Sequence, residues 1–145
     1  MNILVSACLL GVACRYDGKS KPNEDVIKLT EKYNLIPFCP EIYGGLPTPR
    51  HPSEIAGDKV VNDKGDDVTA QYKKGAEEAL RIAKMYNCKY AILKEKSPSC
   101  GKGKIHNGKF DGGYIEGDGI TTRLLTENGI IVLGESEINN FKIMH

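Results

Sequence analysis

The sequence predicts an α/β fold: a mainly parallel, Rossmann-like sheet held between two layers of helices. Three observations predict it. Short apolar runs alternate with stretches of helical periodicity along the chain. The first run is apolar throughout rather than at every second residue, as in a strand covered on both faces. At 145 residues and 40% hydrophobic content, the chain suits a single three-layer domain over 1–145, burying roughly two-thirds of the surface its unfolded form exposes.

The elements follow in order. Ile3 to Cys8 (ILVSAC) reads as the first strand, and the polar, turn-rich segment from Gly11 to Lys21 ends it. Pro22 and Asn23 announce a helix, with Glu24 and Asp25 in a first turn where the helix dipole favours carboxylates. Val26, Leu29 and Tyr33 extend it as one stripe, and Asn34 closes it. Leu35 to Cys39 is the second strand. The next segment, CPEIYGGLPTPRHPSEI, holds four prolines and two glycines in seventeen residues, which predicts a long stiffened loop without regular structure. Such a loop carries function or is a plain surface crossover.

After an excursion over Val60 to Asp66, the longest helix is predicted from Asp67 to Asn87, with Val68, Tyr72, Ala76, Ala79, Ala83 and Tyr86 on one stripe. Tyr90 to Leu93 is the next strand, Thr121 caps a short helix running to Gly129, and Ile130 to Leu133 is the last strand. The sequence shows neither a repeat nor a low-complexity tail.

Charge and cysteine content narrow the function. Lys plus Arg total 20 against 19 Asp plus Glu, a formal charge of +1, so the chain lacks the global basic field of most nucleic-acid binders. Five cysteines without a paired secreted-style framework predict a reduced, cytoplasmic setting. The apolar run from Ile3 to Cys14 imitates a signal segment, but only Met1 and Asn2 precede it, so a basic leader is missing and export is not predicted. No stretch approaches the roughly 20 apolar residues of a membrane span.

Three cysteines carry the chemistry. Cys8, Cys39 and Cys100 each close an apolar run or the segment just after one. In a parallel sheet these positions converge on the edge where ligands bind. Thiolates select zinc, copper(I) or iron-sulfur clusters. A closed zinc site wants four ligands, often from paired C-x-x-C knuckles, and no such pair occurs. Three cysteines match three irons of a four-iron, four-sulfur cluster whose fourth iron has no protein ligand. Plain burial of thiols in the core is the competing reading. Cys14, in the first loop, is a candidate fourth ligand; Cys88, just before a strand, sits at the opposite edge and reads as packing.

Glu41, in CPE, is placed to act as general base on a water near a metal, or is a solvated or capping carboxylate. Ser97 and Ser99 flank Pro98 ahead of Cys100, as hydroxyls for cluster sulfur or substrate, or as ordinary turn formers. Arg15 and Asp17, in CRYDG, either bind a substrate's acceptor and donor or pair with each other. Lys94, Lys96 and Arg50 add positive charge near the same rim. His51, His106 and His145 show no metal-ligand spacing and receive no role. There is no Walker-type loop, and Gly112, Gly113, Gly117 and Gly119 do not form a dinucleotide fingerprint.

Taken together, ILVSACLLG, CRYDG, CPEIYGGLPTPR, DVTAQYKKGAEEAL, ILKEKSPSCG and GDGITTRLL resemble, in order and over nearly the whole chain, the bacterial thiouracil desulfurase family. The resemblance implies a small cytosolic enzyme with a [4Fe-4S] cluster on Cys8, Cys39 and Cys100, and leaves Cys14 outside the ligand set. It implies that the thiocarbonyl sulfur of a thiouracil-like substrate binds the open iron. Water activated by Glu41 then attacks the adjacent carbon with help from Ser97, sulfur leaves as hydrosulfide, and there is no net redox change. Some relatives carry a second domain and act on thiolated transfer RNA; with neither an appended domain nor a basic charge here, a free base or nucleoside is the expected partner. Two other classes compete: a non-enzymatic metal or sulfur carrier with Cys14 completing a four-thiolate site, and a nucleotide-binding module on the same kind of sheet.

Overall fold

Strand β1 (Asn2–Ser6) is the centre about which the fold is organised. It pairs in parallel with β2 (Asn34–Phe38) on one side and with β5 (Tyr90–Leu93) on the other, and β8 (Ile131–Gly134) pairs in parallel with β5. The order is therefore β2-β1-β5-β8, all parallel. Between β1 and β5 the chain reverses the direction in which it adds strands, which in open α/β sheets opens a crevice beyond the carboxyl ends. A computed structural model of the protein describes residues 1–144, and His145 lies outside the described residues.

Alternation along β1 builds the two cores. Ile3 and Val5, with Ile92, meet Val26 of α1 (Glu24–Lys28) and Ile138 and Phe141 of α5 (Ile138–Met144) on one face. Leu4, with Ala91 and Leu93, meets Ala79 and Ala83 of α3 (Thr69–Met85) and Leu125 of α4 (Ile120–Glu127) on the other. A strand with apolar side chains on both faces demands cover on both, and the three-layer α/β expectation holds.

Several elements differ from the sequence expectation. The first strand ends at Ser6, and Ala7–Leu10 form a 3-10 turn that carries Cys8. The first helix is cut short: Asn23 caps it through a bond from the Val26 amide at 3.1 Å, but α1 stops at Lys28 and Leu29–Glu31 continue as a 3-10 turn. The proline-rich segment does contain regular structure. Pro40–Tyr43 form a one-turn helix, α2, whose first position suits proline because that amide has no helical partner in any case. Ser53–Ala56 (β3) and Lys59–Asn62 (β4) then form a hairpin in place of the expected loop and excursion. A second hairpin, β6 (Lys104–His106) with β7 (Tyr114–Glu116), was not foreseen, nor was α5. Thr121 does not cap α4: Gly119 precedes the helix, and Thr121 lies buried inside it with an unpartnered hydroxyl. Along α3 the stripe from Val68 to Ala83 is buried as expected, whereas Tyr86 is exposed.

Helices α2 and α3 pack backbone to backbone through two glycines. A Cβ on Gly75 would stand 1.9 Å from the Pro40 carbonyl oxygen, and one on Gly44 would stand 2.0 Å from that of Gln71. Both obstacles are main chain and cannot turn aside, so Gly75→Ala is expected to cost about 1–3 kcal/mol by overpacking. Because α2 is the element displaced, activity should fall further than a matched loss of stability elsewhere would cause. Thermal unfolding and turnover measured on the same preparation check both parts.

Candidate functional site

Beyond the carboxyl ends of β1, β2 and β5 lies a cavity of about 490 Å³, a normal size for a small-molecule site. Cys8, Cys14, Cys39 and Cys100 all line it. Cys8 comes from the 3-10 turn after β1, Cys14 from the loop that follows, and Cys39 from the residue before α2. Cys100 is not at a strand end: β5 stops at Leu93, and the turn over Lys94 to Ser99 carries the thiol back. That turn is tied down at several points. The Lys94 amide donates to Ser6 Oγ at 2.9 Å, and the Thr121 amide at the start of α4 donates to the Ser99 carbonyl at 2.9 Å. Thr122 Oγ1 donates to the Cys100 carbonyl at 3.0 Å.

The thiols form a desolvated group with no disulfide. The Cys39 thiol lies 3.8 Å from the Cys14 carbonyl, to which it donates, and a contact with the Cys14 thiol, then burial, push its pKa far above the ordinary range. At Cys14 a hydrogen bond with Cys39 lowers the pKa, but a bond with Cys8, burial and the charge of Cys8 outweigh it and leave the thiol raised. Burial pushes Cys100 up to about 12, against the pull of bonds from Ser6 and Ser99. Cys88 lies buried at the opposite end of β5, within the core rather than on the cavity, as expected.

A thiol whose pKa is raised in the folded protein keeps its proton there more tightly than when unfolded, so the stability it contributes is complete below the unfolded value and disappears as pH rises. The metal-free protein is therefore expected to lose stability as pH climbs from 9.0 towards about 12, the span of the Cys100 shift. Melting temperatures across that interval check it, and Cys100→Ala should flatten the decline.

No group of three or more His, Cys, Asp or Glu among the described residues is arranged to hold a single metal ion. A four-iron cluster asks for a different arrangement, one thiolate on each iron, so its protein sulfurs are spread around the cluster rather than gathered on one centre. Soft donors that line one cavity fit that requirement in type.

Glu41 is held from three sides. Its Oε1 accepts from the Tyr72 hydroxyl at 2.6 Å, and its Oε2 accepts from Ser99 Oγ at 3.2 Å. Arg50 Nε stands 3.5 Å from Oε1 without making a hydrogen bond. The rest of that guanidinium, on a side chain only 5% exposed, binds the Cys14 carbonyl at 2.8 Å, Thr48 Oγ1 at 3.0 Å and the Pro47 carbonyl at 3.2 Å. Arg50 thus staples the cysteine loop to the proline-rich segment. Tyr72 is buried, and burial followed by the charge of Glu41 holds its phenol strongly protonated, hence a donor.

The two serines divide their work. Ser97 Oγ accepts from the Cys100 amide at 2.7 Å and lies 3.4 Å from Ser99 Oγ. Ser99, not Ser97, reaches Glu41, and its hydroxyl is also 3.6 Å from the Cys100 sulfur. Arg15 lines the cavity; Asp17 does not, and pairs with Arg15 at 3.7 Å. Arg50, Lys94 and Lys96 all line the cavity, although Lys94 is engaged with Glu135 at 3.0 Å and Lys96 sits over the Tyr114 ring.

Residues without an assigned role also converge here. Tyr72 was read only as part of a buried stripe, yet a buried tyrosine hydroxyl needs a partner, and that need was its one signal. His106 and Glu54 line the cavity as well, and nothing local in the sequence marks either.

Residues 3–137 match the sequence pattern described as 2-thiouracil desulfurase. An uncharacterised protein, YbbK of Bacillus subtilis (strain 168), is 44% identical over 148 residues, covering 95% of this chain and 98% of that protein. A solved structure described as the [4Fe-4S]-dependent thiouracil desulfidase TudS superposes with a TM-score of 0.90 at 45% identity, covering 99% of this chain and 96% of that one. The chain belongs to the 2-thiouracil desulfurase family.

Proposed function

We propose that this protein is an iron-sulfur-dependent desulfurase that converts a thiolated pyrimidine, a thiouracil-like base or nucleoside, into its oxygen counterpart by hydrolysis. The observation that carries the reading is the convergence of Cys8, Cys39 and Cys100 on the cavity that also holds Glu41 and Ser97. The likeness to a [4Fe-4S]-dependent desulfidase supports the same cofactor here, with these three thiolates as its ligands. Held there, the cluster supplies a Lewis-acidic iron for the thiocarbonyl sulfur.

The protein's own side chains handle the water. Glu41, oriented by Tyr72 and Ser99, takes a proton from a water aimed at the carbon that bears sulfur. Ser97, whose oxygen already accepts from the Cys100 amide, keeps its proton to donate towards the reacting group or along Ser99. Arg15 offers donors to the substrate's carbonyl, and Asp17 steadies Arg15. The sum is water plus thiocarbonyl giving carbonyl plus hydrogen sulfide, with no electrons exchanged. Five unpaired thiols suit a reducing, cytoplasmic compartment, and among the described residues no helix is long and apolar enough to cross a membrane.

Anaerobic reconstitution followed by ultraviolet absorption of 2-thiouracil tests the proposal. Loss of the thiocarbonyl band with release of hydrosulfide is expected; an inert protein with a full complement of iron and sulfide contradicts it.

A further inference from the structure

We propose that Glu54 reads the ring N3–H of the pyrimidine and makes the site selective for uracil-type over cytosine-type thiolated rings. This rests on the desulfurase reading and adds a residue that binds substrate. Glu54 lies on β3, is 8% exposed, and lines the cavity. Its Oε1 accepts two backbone donors from the loop between β6 and β7: the Gly108 amide at 3.0 Å and the Phe110 amide at 3.2 Å. Among the described residues, nothing donates to its Oε2, and no Lys, Arg or His nitrogen comes within ion-pair distance. Oε2 is not sealed from solvent, and because Glu54 lines the cavity a donor on substrate can take the place of water on it.

Of the other carboxylates at the cavity, Glu41 has a donor on each oxygen, and Glu95 takes the Ser136 amide at 2.8 Å and the Ser136 hydroxyl on one oxygen and is less buried than Glu54. Glu54 is therefore the buried carboxylate with an oxygen left open to substrate. In a thiouracil, N1–H and N3–H are the ring donors; in its nucleoside N1 carries the sugar, so N3–H is the donor both forms share. A thiocytosine presents a lone pair at N3, which the same carboxylate repels. The Glu54 oxygen facing the loop also fixes Phe110, which lines the cavity beside it, so the acceptor and an apolar wall for the ring are held by one side chain.

Glu54→Gln separates recognition from support. Its amide oxygen still accepts from Gly108 and Phe110, while its NH2 replaces Oε2 and turns an acceptor into a donor. In the anaerobically loaded protein, the ratio of kcat/KM for 2-thiouracil over 2-thiocytosine is expected to fall by about tenfold or more, the worth of one hydrogen bond to a charged group, with the loss for thiouracil appearing mainly in KM. The wild type supplies a second reading that needs no variant: methylation at N3 of 2-thiouracil should block turnover, and methylation at N1 should be tolerated. An unchanged ratio in Glu54→Gln, or equal tolerance of the two methylated compounds, overturns the assignment alone. A fully loaded wild type inert towards every compound overturns the desulfurase reading and this assignment with it.

Discussion

Glu41→Gln is expected to lower kcat for 2-thiouracil by about 10²–10⁴-fold, the usual contribution of a positioned general base. The substitution conserves shape. Tyr72 still finds an acceptor in the amide oxygen, and the Ser99 hydroxyl can turn to accept from the amide nitrogen, so α2 should stay in place. Iron content and the visible spectrum should match the wild type. What is lost is the capacity to take a proton from water at a carboxylate held by two hydroxyls and faced by Arg50. A fall confined to KM, with kcat intact, would show that Glu41 only binds substrate. Tyr72→Phe should produce a smaller loss of the same kind, since it removes the 2.6 Å bond that orients Oε1 but leaves the Ser99 contact.

Cys8→Ser, Cys39→Ser and Cys100→Ser are each expected to abolish cluster loading and turnover together. A serine hydroxyl is harder and far less acidic than a thiol, so it does not replace thiolate on iron. Cys14→Ser is the informative companion. Cys14 lines the same cavity and touches both Cys8 and Cys39, so a four-thiolate carrier would lose its metal equally in all four variants. The three-ligand account predicts that Cys14→Ser keeps its iron and its turnover. Iron, sulfide and turnover measured side by side decide between the two.

How much of this was legible beforehand depended on whether the signal was local. The sheet was legible because Ile3, Leu4 and Val5 are consecutive and apolar, as in a strand covered on both faces, and such short runs alternate with helical periodicity along the chain. The α3 stripe was legible because its period is written in one stretch of chain. Cys8, Cys39 and Cys100 were all singled out because they follow apolar runs; Cys8 and Cys39 do lie just past β1 and β2, whereas Cys100 reaches the cavity through a turn whose shape is set by Ser6, Thr121 and Thr122, residues remote in sequence. The hairpins were missed because strands such as KIH and YIE are three residues long, too short to show a period, and β7 is exposed throughout. Helix α2 was missed because proline density argues against regular structure in general, while proline at a first helical position is well accommodated. The side chains that complete the site, Tyr72 on Glu41 and Glu54 on the Phe110 loop, are joined across 31 and 56 positions of sequence. Such pairings follow from tertiary packing and leave no trace in spacing.

The central claim is that the cavity thiols hold a cluster rather than a single ion. Iron, zinc and acid-labile sulfide, quantified per chain in protein purified without oxygen, test it most directly. About four irons and four sulfides per chain are predicted; stoichiometric zinc without sulfide would contradict it.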